Sequence, residues 1–457
     1  MVRVALINPG RDRRFAIQEP LVLGFLASYL EKNNIEVKIF DEPVGENVAA
    51  LIDSFKPDIV GLTAVTPLIQ EAYRLADICR QKKILTVIGG VHASIFPEEA
   101  LKHTDIVIKG EGEVALVKIA KGEIKSGIID GSVISNLDEV PIPSRHLMKM
   151  DYYLYAKDHN PGSYLYFVPP RTKVAAVLTS RGCPYDCIFC HNSWQGLPYR
   201  FNSVDRVLEE IGSLISDYGV QAIFFIEDNI FVNKKRIQAI SRGILQRGYK
   251  IVWGGNARVD NLDRETLQLA KEAGCRQITF GFESGSQRIL DVLRKRTTVA
   301  KAREAIRLCK EVGLKVNGTF MIGNPTETPA DIKMTQDFIR DNPIDAPGLC
   351  IATPFPGTEM WNMCLKKGLV PLQPSWSDFT YDRVPFPATD SLSEEEIKRF
   401  YQETLNVITA NSSKSLKEFL VYSALNPRYL LKILMKLLSN PSRMLAMLKR
   451  WLIWRKP

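Results

Sequence analysis

Apolar residues near the start of the chain fall into short runs: Val2–Ile7, Glu36–Phe40, Ile59–Thr63, Leu85–Ile88 and Ile106–Ile108. Between them, Leu21–Asn33 and Leu68–Lys82 carry amphipathic, helical patterns. Apolar strands separated by helices predict a parallel sheet covered on both faces, which takes ligands beyond the carboxyl ends of its strands. From Ile124 to Arg171 the period fades in a stretch rich in Tyr and punctuated by Pro141, Pro143, Pro161, Pro169 and Pro170, which reads as an irregular connector. Tyr152, Tyr153, Tyr155, Tyr164 and Tyr166 are expected to pack there rather than line a cleft.

The alternation then resumes. Strands are predicted at Val174–Thr179, Gln221–Phe225, Lys250–Trp253, Gln277–Gly281, Lys315–Ile322 and Leu349–Thr353. Helices are predicted at Val204–Tyr218, Lys234–Gln246, Arg264–Ala273, Lys301–Val312 and Pro329–Arg340. Ser393 and Glu396 have capping-box spacing at the head of a helix reaching about Ala410. The expected class is α/β, divided as a Rossmann-like sheet at 1–130, a linker at 131–170, a second βα unit at 171–385 and a helical region at 386–457.

Charge sharpens the last of these. The 457 residues carry 60 Lys and Arg against 51 Asp and Glu, a net +9. Lys414–Pro457 holds ten basic residues and one acid, so the excess lies there and the rest of the chain is neutral. A basic nucleic-acid-binding body is disfavoured. Asn426-Pro427 and Asn440-Pro441 open two short helical patterns. The first has a stripe of Arg428, Lys432 and Lys436 beside Leu430, Leu431, Ile433, Leu434, Leu437 and Leu438; the second has Leu445, Leu448 and Leu452, with Trp451 and Trp454 near its end. This composition favours contact with an anionic membrane surface through 414–457, the alternative being helices packed on the second βα unit. No signal peptide or span of about 18 apolar residues is present, so the expected location is cytoplasmic, peripheral on the inner membrane face.

In a cytosolic chain, clustered thiols point to metal or chemistry rather than disulfides. Cys183, Cys187 and Cys190 form a C-x3-C-x2-C pattern directly after a predicted strand. Zinc would need a fourth ligand, and His191 is too close to Cys190 to chelate well. Three thiolates suit an iron–sulfur cluster with one iron left open. Cys79, Cys275, Cys309, Cys350 and Cys364 have no tight spacing and are expected as buried apolar residues, Cys350 being the one near a strand end. In the first sheet, Asn8-Pro9-Gly10, Thr63-Ala64-Val65-Thr66-Pro67, Gly89-Gly90-Val91-His92-Ala93 and Gly110-Glu111-Gly112-Glu113 follow successive strands. Taken together they predict a ligand site, and the lack of GxGxxG after the first strand argues against a dinucleotide.

The cysteine motif is that of the radical SAM superfamily, which the chain resembles over its central strands; six of them fit that family's open partial βα barrel. The resemblance implies a 4Fe–4S cluster on Cys183, Cys187 and Cys190, with S-adenosylmethionine (SAM) chelated by the open iron and cleaved to a 5′-deoxyadenosyl radical. It further implies Phe189 near adenine, Glu227 or Asp228 on the SAM ammonium, Arg258 on its carboxylate, Glu283 on ribose, Gly323 backbone against adenine, and Thr353–Thr358 beside the substrate. No residue is singled out as catalytic. An external electron donor such as flavodoxin or ferredoxin is implied.

The first sheet resembles the cobalamin-binding domain of many radical SAM proteins, chiefly through Gly-Gly-Val-His and Gly-Glu-Gly-Glu. The implied cobalamin contacts are Asn8, Thr63, Val65, Thr66, Gly89, Gly90, His92, Gly110, Glu111, Gly112 and Glu113. No Asp-x-His-x-x-Gly motif occurs, so cobalt would lack a histidine ligand and its lower face would meet Val65, unless the domain has lost the cofactor. His92 reads equally as a polar turn residue. The resemblance implies cobalamin-dependent C-methylation of an unactivated carbon: one SAM methylates cob(I)alamin and a second generates the radical. Cyclisation or carbon–carbon coupling without methyl transfer is the alternative enzyme reading, and an iron–sulfur scaffold or electron carrier the non-enzymatic one. A small molecule is the expected substrate, with a lipid or isoprenoid suggested only by the basic tail.

Overall fold

The structure is a computed structural model that describes residues 2–11, 18–156, 165–169, 171–191, 197–371, 373–380 and 386–411. The basic segment Lys414–Pro457, and with it the predicted membrane contact, lies outside the described residues, as do Pro161, Tyr164 and Pro170. The described residues from 2 to 166 and from 173 to 411 belong to one compact unit, and the few described between 167 and 172 belong to another.

The first sheet is built from β1 (Arg3–Asn8), β2 (Glu36–Asp41), β3 (Ile59–Thr63), β4 (Leu85–Gly89), β5 (Ile106–Lys109) and β6 (Gly127–Asp130). All neighbours are parallel, in the order β2-β1-β3-β4-β5-β6. Val4–Ile7 of β1 are all buried, as a strand covered on both faces must be. The order reverses between β1 and β3, which opens a crevice at their carboxyl ends. The sequence pattern missed β6. It is a four-residue, half-exposed edge strand, too short to show a period. The helices Val48–Phe55 and Glu113–Ala120 were missed as well.

The second sheet follows β7 (Val174–Val177), interrupted by a short antiparallel pair, β8 (Ser180–Arg181) and β9 (Arg200–Phe201). It continues through β10 (Ala222–Phe225), β11 (Val252–Ala257), β12 (Cys275–Glu283), β13 (Lys315–Ile322) and β14 (Ala346–Ile351), all parallel. The order runs from β14 to β7 without the two edges pairing, so the sheet is open. Five of the intervening helices begin on a side chain that accepts a backbone N–H: Ser203, Asn233, Asp263, Thr298 and Thr328. These caps explain why the predicted helix starts fall within a residue or two of the observed ones. Ser393 and Glu396 make their reciprocal bonds at the head of Glu394–Asn411.

Two strands depart from expectation for steric reasons. β11 runs on through Gly254-Gly255, past the predicted strand end at Trp253; a Cβ on Gly254 would lie 2.8 Å from Leu165 and 2.9 Å from the Gln277 carbonyl, so only glycine fits there. β14 begins early and includes Pro347, which an edge strand tolerates.

The connector is less irregular than its composition suggests. Tyr153 is buried and donates to Asp41 Oδ2 at 2.6 Å, so it packs. Arg145, also buried, lies between Glu210 (2.7 Å) and Glu19 (3.5 Å) and donates to the Ala176 carbonyl of β7 at 2.8 Å.

Candidate active site

The antiparallel β8–β9 pair closes the base of the segment that carries the three clustered cysteines. Gly182 turns the chain out of β8 at φ +82°, where a side chain would be strained and its Cβ would lie 3.0 Å from the Pro198 carbonyl. Cys190 N–H donates to the Cys187 carbonyl at 3.0 Å. Between them, Ile188 is pinned at both backbone groups: its N–H donates to Leu293 O (3.2 Å) and its carbonyl accepts from Met360 N–H (2.9 Å). Cys187 is buried, whereas Cys183 and Cys190 are half-buried. Arg258 Nη1 lies 3.6 Å from Cys187 Sγ. Among the described residues no three His, Cys, Asp or Glu side chains converge as a single-ion site. The donor set fits a cluster, which spreads its thiolates over separate irons.

A second group of charges surrounds this loop. Glu227 and Asp228 follow β10, and the structure separates their roles. Glu227 is buried, accepts from Thr179 Oγ1 at 2.5 Å and lies 4.0 Å from Arg236. Burial pushes its carboxyl up to about 7. Asp228 is exposed, and its carboxyl is also raised by its protein surroundings. Arg258 bonds Asp260 at 3.2 Å, donates to the Lys295 carbonyl and stacks 3.7 Å from the Tyr185 ring.

Glu283 sits at a β-bulge with φ +62° and is buried against Lys295 Nζ at 2.6 Å. That same ammonium lies 5.7 Å from the Phe189 ring centroid. Lys295 thus links Glu283 and Phe189 through its side chain and Arg258 through its carbonyl. It was invisible in the sequence, where it is one of three adjacent basic residues after a short helix.

The Gly323 N–H is taken up within the protein. It donates to Glu327 Oε2 at 2.6 Å, and Asn324 donates to the same carboxylate from its backbone at 3.1 Å and its amide at 3.0 Å. Glu327 was missed, although a carboxylate three residues after the Asn of an Asn-Pro pair is a local signal for this arrangement. Burial raises it from 4.5 to about 7, so the folded state holds its proton more tightly than the unfolded chain. Stability contributed by this group therefore falls as pH rises from about 4.5 to 7. Glu327→Gln should flatten the pH dependence of the unfolding free energy in that window, by at most roughly 1.4 kcal/mol per pH unit in chemical denaturation.

A cavity of about 420 Å³ lies at the carboxyl ends of both sheets. From the first sheet it is lined by Thr63, Gly89, Gly90, Gly110, Glu111, Gly112 and Glu113; from the second by Ser180, Arg181, Gly182, Arg200, Glu227 and Asp228. A Cβ on Gly110 would meet nothing within 4 Å and one on Gly89 only the Ile108 carbonyl at 3.6 Å, so both leave space beside the backbone that a ligand can fill. This glycine cradle fits a flat ligand approaching main chain.

Four of the predicted cobalamin contacts are not among the residues lining this cavity. Asn8 donates to Asp41 at 3.0 Å. Val65 is exposed and does not line the cavity. Thr66 and His92 are buried together, with Thr66 Oγ1 3.3 Å from His92 Nδ1. Gly90, at φ +92°, turns the chain into the short helix Val91–Ile95, and His92 falls on its inner side between Phe96 and Trp376, 3.5 Å from Glu99. It is a core residue. Phe189, Arg258, Glu283 and Gly323 are likewise not among the cavity's lining residues.

Comparison with known proteins agrees with this layout. The Radical SAM superfamily model matches residues 177–339, and the B12 binding domain model matches residues 15–120. An uncharacterized methyltransferase of Pyrococcus horikoshii is 35% identical over 389 residues, covering 79% of this chain and 81% of that protein. The cobalamin-dependent S-adenosylmethionine radical enzyme OxsB, solved with aqua-cobalamin, superposes with a TM-score of 0.68 at 21% identity over 83% of this chain and 64% of its own. The radical S-adenosylmethionine methyltransferase TsrM from Kitasatospora setae, solved with cobalamin and a [4Fe-4S] cluster, gives 0.65 at 20% identity over 82% and 80%. The chain belongs to the radical SAM superfamily, in the group whose radical SAM domain follows a B12-binding domain. It is an enzyme, and its cofactors are a 4Fe–4S cluster, SAM and cobalamin. No described helix is long and apolar enough to cross a membrane.

Proposed function

We propose that this protein is a cobalamin-dependent C-methyltransferase acting on an unactivated carbon of a small molecule, with its electron supplied by a redox partner. The observation that carries the reading is the shared cavity, which the glycine turns of the first sheet and Asp228 of the second both border. A methyl donor and a radical must meet at one carbon, and apposed strand ends supply that proximity. When bound, the cluster and SAM supply the 5′-deoxyadenosyl radical and cobalamin supplies the methyl group.

The chain's own residues have the following parts. Cys183, Cys187 and Cys190 hold the cluster, and Arg258 lies beside Cys187. Asp228, exposed where Glu227 is buried, is placed to receive the SAM ammonium. Arg258 faces the SAM carboxylate, while Phe189 and Glu283 bound its adenosine. Lys295 holds Glu283 in place. The turns at Thr63, Gly89-Gly90 and Gly110–Gly112 cradle cobalamin. Lys295→Met should weaken SAM binding by roughly tenfold or more, the cost of one charged hydrogen bond, read from the SAM-induced change in the cluster's EPR spectrum. Lys295→Arg should recover part of it.

The deciding experiment is anaerobic reconstitution with SAM and a reductant. Methyl transfer predicts one S-adenosylhomocysteine per bound cobalamin even without substrate, together with 5′-deoxyadenosine. A cyclase or coupling enzyme would give 5′-deoxyadenosine alone, and a scaffold or electron carrier neither.

The basic segment supports a finer reading, in which 414–457 rests on an anionic membrane and the substrate is a lipid or isoprenoid. Deleting Lys414–Pro457 should abolish sedimentation with vesicles containing anionic lipid; unchanged sedimentation would reject this reading.

A further inference from the structure

β8 and β9 set Arg181 and Arg200 directly opposite each other, a pairing of like charges that is unfavourable by itself. The counter-charges come from the first sheet. Arg200 grips Glu111 with both terminal nitrogens, at 2.5 Å and 3.0 Å. Arg181 reaches Glu113 at 2.5 Å and lies 3.4 Å from Glu111. The Ile134 backbone closes the group, accepting from Arg200 at 2.5 Å and donating to Glu111 at 3.0 Å. None of the four side chains is more than one-fifth exposed. Glu111 and Glu113 are therefore engaged by protein cations, although their turn borders the cavity.

Desolvation offsets most of the Coulombic gain of such a buried network, so its return in stability is small. What two-pronged Arg–carboxylate bonds do supply is fixed geometry. The two arginines form the rung from which the cysteine segment leaves and to which it returns. The two glutamates flank Gly112 in the turn that begins with the open Gly110. We infer that Arg181, Arg200, Glu111 and Glu113 are positioning residues that set the distance between the cluster loop and the cobalamin cradle. The inference rests on the proposed function, because that reaction is what makes the distance matter.

The test uses the full chain, reconstituted anaerobically with cluster and cobalamin. Two properties are read: the distance distribution between reduced cluster and Co(II) by pulsed EPR, and amide hydrogen exchange over 182–190. For Glu113→Gln, iron and cobalamin loading should stay at the wild-type level, the distance distribution should broaden, and exchange over 182–190 should rise about tenfold, as expected for losing one charged hydrogen bond. The charge-exchanged double variant, Arg181→Glu with Glu113→Arg, should restore both. An unchanged distribution and exchange in Glu113→Gln would overturn the inference. So would loss of cobalamin at normal iron content, which would make Glu113 a cofactor ligand, or failure of the double variant to restore either property. If the wild-type protein takes up no cobalamin, the proposed function fails, and the exchange measurements then decide the inference alone.

Discussion

Replacing any one of Cys183, Cys187 or Cys190 with Ala is expected to abolish both the cluster's visible absorbance and reductive formation of 5′-deoxyadenosine. The reason is stoichiometric. Three thiolates hold three irons and leave one for SAM, so a cluster missing a thiolate loses the distinction on which chelation depends. Cys350→Ala is the matched control. Burial, with the Glu283 carboxylate nearby, pushes the Cys350 thiol up to about 11, so it supplies little thiolate at neutral pH. That variant should keep its iron and its absorbance. Iron content and the product assay on the four proteins check the prediction together, and full activity in any of the three clustered variants would remove the assignment.

Arg145→Met should destabilise the protein by roughly 3–5 kcal/mol, because it strands buried carboxylates without their cation. Glu19 and Glu210 are both buried around the guanidinium, and Glu19 also accepts the Ala176 N–H at 3.1 Å. Burial already holds the Glu19 carboxyl above its ordinary value even with Arg145 beside it. Without the cation, the folded state should bind protons more tightly still, so the variant should regain stability as pH falls below neutrality. Anaerobic chemical denaturation near pH 7.5 and near pH 5.5 reads both effects. Adding Glu19→Gln and Glu210→Gln should recover most of the loss; no recovery would mean that Arg145 acts mainly through packing or its bond to β7.

The cluster motif was legible because chelation here is local: three donors fall within eight residues, and a glycine and a strand fix where they project. Strand and helix positions were legible for a similar reason, since burial of alternate faces writes its period into adjacent residues and caps mark the helix starts. The pattern failed where sterics or brevity replaced periodicity, as at β6 and the Gly254-Gly255 segment of β11. At the site, the adjacent pair Glu227 and Asp228 is instructive. Two carboxylates in succession look equivalent in sequence, yet Thr179 and Arg236, 48 and 9 positions away, take one of them. His92 shows the converse, a residue that reads equally as a ligand or a polar turn residue and proves to be packed against Trp376.

The sequence by itself determined the chemistry: three clustered thiols, two parallel α/β sheets and glycine turns at their strand ends, all consequences of short-range geometry. Only the tertiary structure decided which charges are spoken for. Lys295 with Glu283, Arg145 with Glu19 and Glu210, and Arg181 and Arg200 with Glu111 and Glu113 are pairs drawn from 12 to 126 positions apart. Whether a charged side chain pairs, titrates or stays open to a ligand depends on its desolvation and on the counter-charge that folding brings to it, and neither is recorded in its neighbours along the chain.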